Sequence, residues 1–283
     1  MDKKHASEIL LVWLLCLLLA SLGSCVLYVG GCGMSAEYER EVHLSAPLPP
    51  NSQLTAETHN GSITVVGGDT LECSLTATIK GRAATEEKAQ KLAEQTKVDL
   101  LPQDNTLKVK ISRPLLSSNQ SVGVSLDMRI PNQTDLDMTT HNGAVKIDSV
   151  TGQVDAKTHN GKVTASQVCG NMKLHTHNGS VSCRQISGDA DVSSYNGGLD
   201  VSYAEGASGV CSISLKTHNG GVDLTCPPEF SAKAEISTHN GSIRTDLPIT
   251  VTGKLDKREI TGTIGTGQGK LYIKTYNGSV HVQ

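Results

Sequence analysis

Six histidines, His59, His141, His159, His177, His218 and His239, each stand directly before an Asn-Gly pair, and Tyr195 and Tyr276 take the same place before two more. Neutral imidazole is a good ligand for zinc, copper or nickel, so such a row could gather a divalent metal. A specific metal site also wants carboxylate or thiolate ligands and an ordered outer shell. Here the outward neighbours change from repeat to repeat (Lys157, His175, Ser193), and tyrosine replaces histidine twice. That interchange suits stacking rings better than ligands, so no metal and no other cofactor is expected. The candidate binding row is His141, His159, His177, Tyr195, His218 and His239, with a metal-binding row as an alternative reading. Serine, histidine and aspartate are plentiful enough for a hydrolytic triad, but they recur evenly instead of meeting in one pocket with perturbed pKa values. Catalysis is therefore not expected.

Cysteine offers less. Cys73, Cys169, Cys183, Cys211 and Cys226 lie beyond the apolar leader, and no C-x-x-C pair exists, which argues against a zinc knuckle. Outside the cytoplasm disulfides persist. Cys211 and Cys226 flank Asn219-Gly220 at nearly equal distances and are the expected pair.

The element that positions the row is visible in its spacing. Asn-Gly recurs every 18 residues from Asn142 to Asn196, and the step then loosens to 23, 21 and 37. Counted from each glycine, apolar residues return at like places: Val145, Val163, Val181 and Leu199 two residues on, then Ile147, Ala165, Cys183 and Val201 four on. A second glycine follows at Gly152, Gly170 and Gly188. Alternation with period two makes each repeat a pair of short strands with one buried face and a turn at each end. One repeat cannot bury its own apolar face, but stacked repeats can. The predicted fold is therefore all-β: a β-solenoid of the parallel β-helix or β-roll type, with 18-residue coils lying about 4.8 Å apart. Asn-Gly is also a strong hairpin signal, so a meander of true hairpins is the rival, with a β-sandwich behind it. In the solenoid Thr140, Thr158 and Thr176 point inward, where their hydroxyls can bond the backbone at the corner. The histidines beside them point outward.

One segment breaks the pattern. Thr85 can cap a short helix near 85–95 that turns Ala89, Leu92 and Ala93 to one side. Three regions follow: residues 1–32 as leader, 33–133 as less regular coils carrying the helix, and 134–283 as the regular repeats. The leader opens on Lys3 and Lys4 and then runs uncharged from Ile9 to Cys32. This is the layout of a secretory signal or an uncleaved anchor, and Ile9 to Val29 is about the length a spanning helix needs. "LGSC" and "VGGC" end on Cys25 and Cys32, which makes both cysteines lipidation candidates of a lipoprotein signal. Lysines before the apolar run place the remainder across the membrane, in the periplasm or outside the cell. With 25 basic and 28 acidic residues in all 283, the chain lacks the basic excess of a nucleic-acid binder.

The repeated "THNGSI" and "THNGAV", the ending "GTIGTGQGKLYIKTYNGSVHV" and the apolar leader together resemble the bacterial domain-of-unknown-function proteins called putative adhesins. The resemblance runs from about Tyr38 to Gln283 and is strongest from Leu136 to Val201 and in the last twenty residues. It implies a β-solenoid displayed at the cell envelope and brings no catalytic residues with it. The expected function is accordingly a non-catalytic, membrane-anchored envelope protein whose repetitive polar face meets a surface glycan or an envelope protein. A sensory or regulatory module acting through a protein partner is the alternative.

Overall fold

The structure is a computed structural model that describes residues 36–252 and 256–283. The expected leader over 1–32, with Cys25 and Cys32, lies outside the described residues. Among those described, no helix is long and apolar enough to cross a membrane.

Each Asn-Gly corner joins a longer strand of one sheet to a shorter strand of the other. Val154–Asn160 turns into Val163–Ser166, and the next coil repeats this with Met172–Asn178 and Val181–Ile186. Like residues then pair in parallel: Ala156 with Leu174, Asn160 with Asn178, Val163 with Val181. Hairpins would pair these strands antiparallel within a repeat, so the meander is excluded and the solenoid holds. The stack forms two long sheets of 11 and 12 strands. Between them lies the core of inward residues, among them Val163, Ala165, Leu174, Val181 and Cys183, all fully buried. Valine is the commonest core residue, because a β-branched side chain fits the pleated surface of a strand and fills a thin slab.

The corners are held from inside. Thr158 donates its hydroxyl to Gly143 O at 2.9 Å and Thr176 to Gly161 O at 2.9 Å, each bond tying one coil to the previous one. Thr176 is fully buried, so its hydroxyl has no water to turn to. Thr176→Val keeps the shape and removes the donor, which leaves a half-buried carbonyl without this partner. Chemical denaturation is expected to show a loss of about 1–3 kcal/mol, and an unchanged midpoint would mean the corner threonines are fillers.

The corner glycines do not owe their place to a left-handed backbone: Gly143, Gly161, Gly179 and Gly197 have no such φ. They are required because the coils approach too closely for a side chain: a Cβ on Gly161 would sit 1.9 Å from Gly143 O. The left-handed residues are at the opposite corner, where Ser149, Gln167 and Gln185 have φ of 59°, 51° and 53°.

Spatial order departs from chain order at both ends. Along the 12-stranded sheet the corner asparagines run Asn60, Asn142, Asn160, Asn178, Asn196, Asn219, Asn277, Asn240. The C-terminal coil, Gly269–Asn277 with Val280–Val282, is thus inserted between the Asn219 and Asn240 coils. Likewise the first coil, Ser52–Asn60 with Ile63–Gly68, sits inside a later one made of Thr106–Ser112 and Ser121–Pro131.

Antiparallel strands finish the N-terminal end, Ala36–Pro47 against Glu72–Ala83 in one sheet and Lys97–Gln103 against Thr106–Ser112 in the other. The helix Glu86–Gln95 lies there, with Thr85 capping its first turn and Ala89, Leu92 and Ala93 buried. Arg40 reaches its far end and donates to Ala93 O and Thr96 O, adding a charged donor to the Thr96 N–H that Ala93 O already accepts. An antiparallel pair, Ile249–Val251 with Glu259–Ile264, finishes the C-terminal end of the 12-stranded sheet. Such caps stop a stack from recruiting further strands.

Candidate functional site: an eight-ring ladder

Because every coil turns at the same point, the residue before each corner asparagine stands above its counterpart on the next coil. The rings of His59, His141, His159, His177 and Tyr195 form a continuous face-to-face stack, with centroids 4.7–4.9 Å apart and planes within 2–23°. His218, Tyr276 and His239 continue it in the order of the coils rather than of the chain. The structure thus brings the whole expected row together and adds His59 and Tyr276. Below the rings runs a second ladder, in which Asn160, Asn178 and Asn196 each donate a side-chain amide to the preceding asparagine at 2.7–2.8 Å.

The stack is regular except at one ring. His218 is turned 64° out of the plane of Tyr195 and 66° out of the plane of Tyr276. Elsewhere inside the row each ring has both faces covered by its neighbours and offers only an edge. At His218 the faces are turned away from both neighbouring rings. Tyr195 and Tyr276 on either side are 45% and 46% exposed, which places two hydroxyls in solvent around this break.

A further row shares the same face. Lys157, His175, Ser193, Lys216, Lys274 and Ser237 stand opposite one another on successive strands, two positions before the rings. Lys216 and Lys274 are direct cross-strand neighbours, and neither forms an ion pair among the described residues. Lys216 Nζ instead lies 5.5 Å from the centre of the Tyr272 ring.

The ring spacing also bears on metal chemistry. A zinc–imidazole bond is about 2.0–2.1 Å, so two nitrogens on one ion stand no more than about 4.2 Å apart, and closer at a tetrahedral angle. Equivalent nitrogens of parallel rings are separated by roughly the ring spacing, 4.7–4.8 Å for His141, His159 and His177. The intact ladder therefore cannot share an ion between adjacent rings. Among the described residues no group of three or more His, Cys, Asp or Glu could hold a metal.

The setting of His175 bears on its charge. Its Nδ1 lies 2.9 Å from Ser193 Oγ. Crowding against the sheet lowers its pKa, and the positive charges of His177, Lys157 and Lys173 add to that. With the folded pKa below the unfolded value near 6.5, the unfolded chain binds more protons, so stability is present above that value and falls as pH drops through it. Thermal melts between pH 7.5 and 5 should show this decline, and His175→Gln should flatten part of it. A decline identical in the variant would assign the effect to other groups.

The cysteines do not form the expected arrangement. Cys211 and Cys226 are both free thiols, as are Cys73, Cys169 and Cys183. Cys211 lies within reach of the Tyr203 hydroxyl, and burial raises its pKa. Burial pushes Cys226 up to about 12, with Cys211 nearby adding to the shift. A buried thiol with a raised pKa is a poor nucleophile, so these groups pack rather than react.

A cleft of about 580 Å³ opens near the N-terminal cap beside Asn60, Lys80, Arg82 and Ser121. Its cations are already engaged: Lys80 with Glu37 and Glu39 at 3.1 and 3.0 Å, Arg82 with Glu37 at 2.8 Å.

Two facing sheets built from congruent coils, with a ring ladder along one edge, define the class: a mostly parallel β-solenoid repeat protein. The chain belongs to the Toastrack DUF4097 family, whose model matches residues 29–283. Among solved structures, one described as a putative adhesin from Bacteroides fragilis is 13% identical with a TM-score of 0.40, covering 86% of this chain and 97% of its own. A putative cell adhesion protein from Clostridium sporogenes is 10% identical with a TM-score of 0.35, covering 85% and 97%. A putative lipid binding protein from Parabacteroides distasonis is 8% identical with a TM-score of 0.24, covering 86% and 96%. No curated protein matches.

Proposed function

We propose that this protein is a membrane-anchored envelope component with a non-catalytic, adhesin-like domain, and that the ring ladder is its binding face. The observation that carries the reading is the ladder itself: eight rings in one line on the outside of the stack. Two of them, Tyr195 and Tyr276, remain nearly half exposed. A surface built only to close a corner has no need of large, part-wetted aromatic side chains, whereas recognition faces favour them. Anchoring is inferred from the apolar run Ile9 to Val29 behind Lys3 and Lys4. The evenness of the face supports a non-catalytic role, because it gathers no acid, base and nucleophile into one pocket.

The test is a photo-crosslinking residue in place of Tyr195, irradiated in intact cells. A discrete adduct supports the binding face, and its identity separates a glycan from an envelope protein. A folded, correctly anchored protein that gives no adduct makes the ladder a structural corner and removes this reading.

A further inference from the structure

The ladder is uniform except over three neighbouring strands, and there three unusual features coincide. The first is the turned ring of His218, with its faces uncovered by either neighbour. The second is tyrosine: Tyr195 and Tyr276 flank that ring, and Tyr272 stands four residues before Tyr276 on the same strand, so half of the six tyrosines in a chain that is only 3% aromatic lie on these strands. The third is charge. Lys216 and Lys274 stand directly opposite one another with no carboxylate paired to either among the described residues. Like charges facing across strands are destabilising, so the free protein carries a repulsion that an anion lying over both would relieve.

We propose that this break is a binding site for an anionic sugar, specifically a carboxylated hexose unit of a polysaccharide. The inference rests on the ladder being a binding face and locates recognition within it. The chemistry divides among the residues. An exposed aromatic ring face carries negative quadrupole charge and attracts the slightly positive C–H face of a pyranose, and His218 is the interior ring with its faces free of stacking. The hydroxyls of Tyr195 and Tyr276 both donate and accept hydrogen bonds, which matches the sugar hydroxyls on either side. Lys216 and Lys274 take the carboxylate. Each ammonium brings three donors and a full charge. A neutral sugar would use the ring and the hydroxyls but leave the lysine repulsion in place, so the site selects for charge.

Full-length protein in detergent micelles, titrated calorimetrically with an oligogalacturonate, tests this against a neutral galactose oligomer of the same length. The acidic oligomer should bind at least about tenfold more tightly (about 1.4 kcal/mol), and its affinity should weaken between low and high salt. Lys216→Met with Lys274→Met should remove that preference; both side chains are exposed, so the fold is not at stake. His218→Ala should cost affinity for both oligomers. His218→Leu, which fills the same space, should cost as much if the ring matters. His159→Ala, three coils away, should cost less affinity than His218→Ala, and Lys146→Met, an exposed lysine on the other sheet, should bind as the unaltered protein does. Equal affinity for the two oligomers, or an unaffected lysine variant, overturns the proposal. Equal losses from His159→Ala and His218→Ala would overturn the local site while leaving the ladder as a binding face. Binding of neither oligomer by the folded protein also overturns it, and the cellular crosslink then decides the broader reading separately.

Discussion

Gly161→Ala is expected to abolish cooperative folding of the stack. The added methyl would lie 1.9 Å from Gly143 O, 2.5 Å from the carbonyl carbon and 3.1 Å from Ala144 N, all of them backbone atoms that no rotamer change can move. Relief requires parting two coils, which lengthens the parallel hydrogen bonds of both sheets and the bond from Thr158 to Gly143 O. The cost is placed above about 4 kcal/mol, in the exceptional tail for single substitutions. Gly68→Ala is the matched control, because nothing lies within 4 Å of a Cβ there, and it should change stability by less than about 0.5 kcal/mol. Circular dichroism with urea unfolding reads both. A folded Gly161→Ala with a near-normal midpoint would show that the corner tolerates a gap.

Removing the last coil, residues 268–283, is expected to do comparable damage, although it takes only the chain's end. Those residues pair on both sides, with Val280 between Val222 and Ile243, and Asn277 between Asn219 and Asn240. Truncation therefore opens a gap inside the stack and strips partners from Ser212–Asn219 and from Ala232–Asn240 at once. Exposed parallel edges of this kind aggregate. Deleting Lys162–Gly179 offers the contrast. Gly161 then runs into Ser180, the coils on either side carry matching residues, and both sheets close with one fewer layer. The internal deletion should remain folded and monodisperse, and the truncated chain should not. If size-exclusion chromatography shows the reverse, the order of the coils is wrong.

Much of this was legible in the residues. The 18-residue step, the alternation of Val163 and Ala165 with Thr164 and Ser166, and the inward Thr158 and Thr176 all specify a stack of parallel coils, and the outward rings follow from parity. Other features were hidden for identifiable reasons. The reason for the corner glycines depends on the distance between coils, which a single repeat does not contain. The inserted last coil left only a trace, the long 37-residue step between Asn240 and Asn277, which houses the antiparallel pair at the C-terminal end. The turned His218 lies between Tyr195 and Tyr276, and Tyr276 becomes its neighbour only through that insertion, being 58 residues further along the chain. Cys211 and Cys226 were suggested by symmetry about Asn219-Gly220, but equal spacing along a chain says nothing about whether two sulfurs face each other. Here both are free thiols.

The congruence of the central coils has a consequence for how such a protein changes over generations. Because Asn142, Asn160, Asn178 and Asn196 are interchangeable in register, an in-frame duplication or loss of one whole repeat preserves every neighbour relation, whereas any other length breaks them all. Heritable variation in reach is therefore quantised and confined to the middle. The two ends, where late and early coils are interleaved, can neither be copied nor dropped as units. Lineages of this chain should differ in length by whole coils while keeping their ends intact.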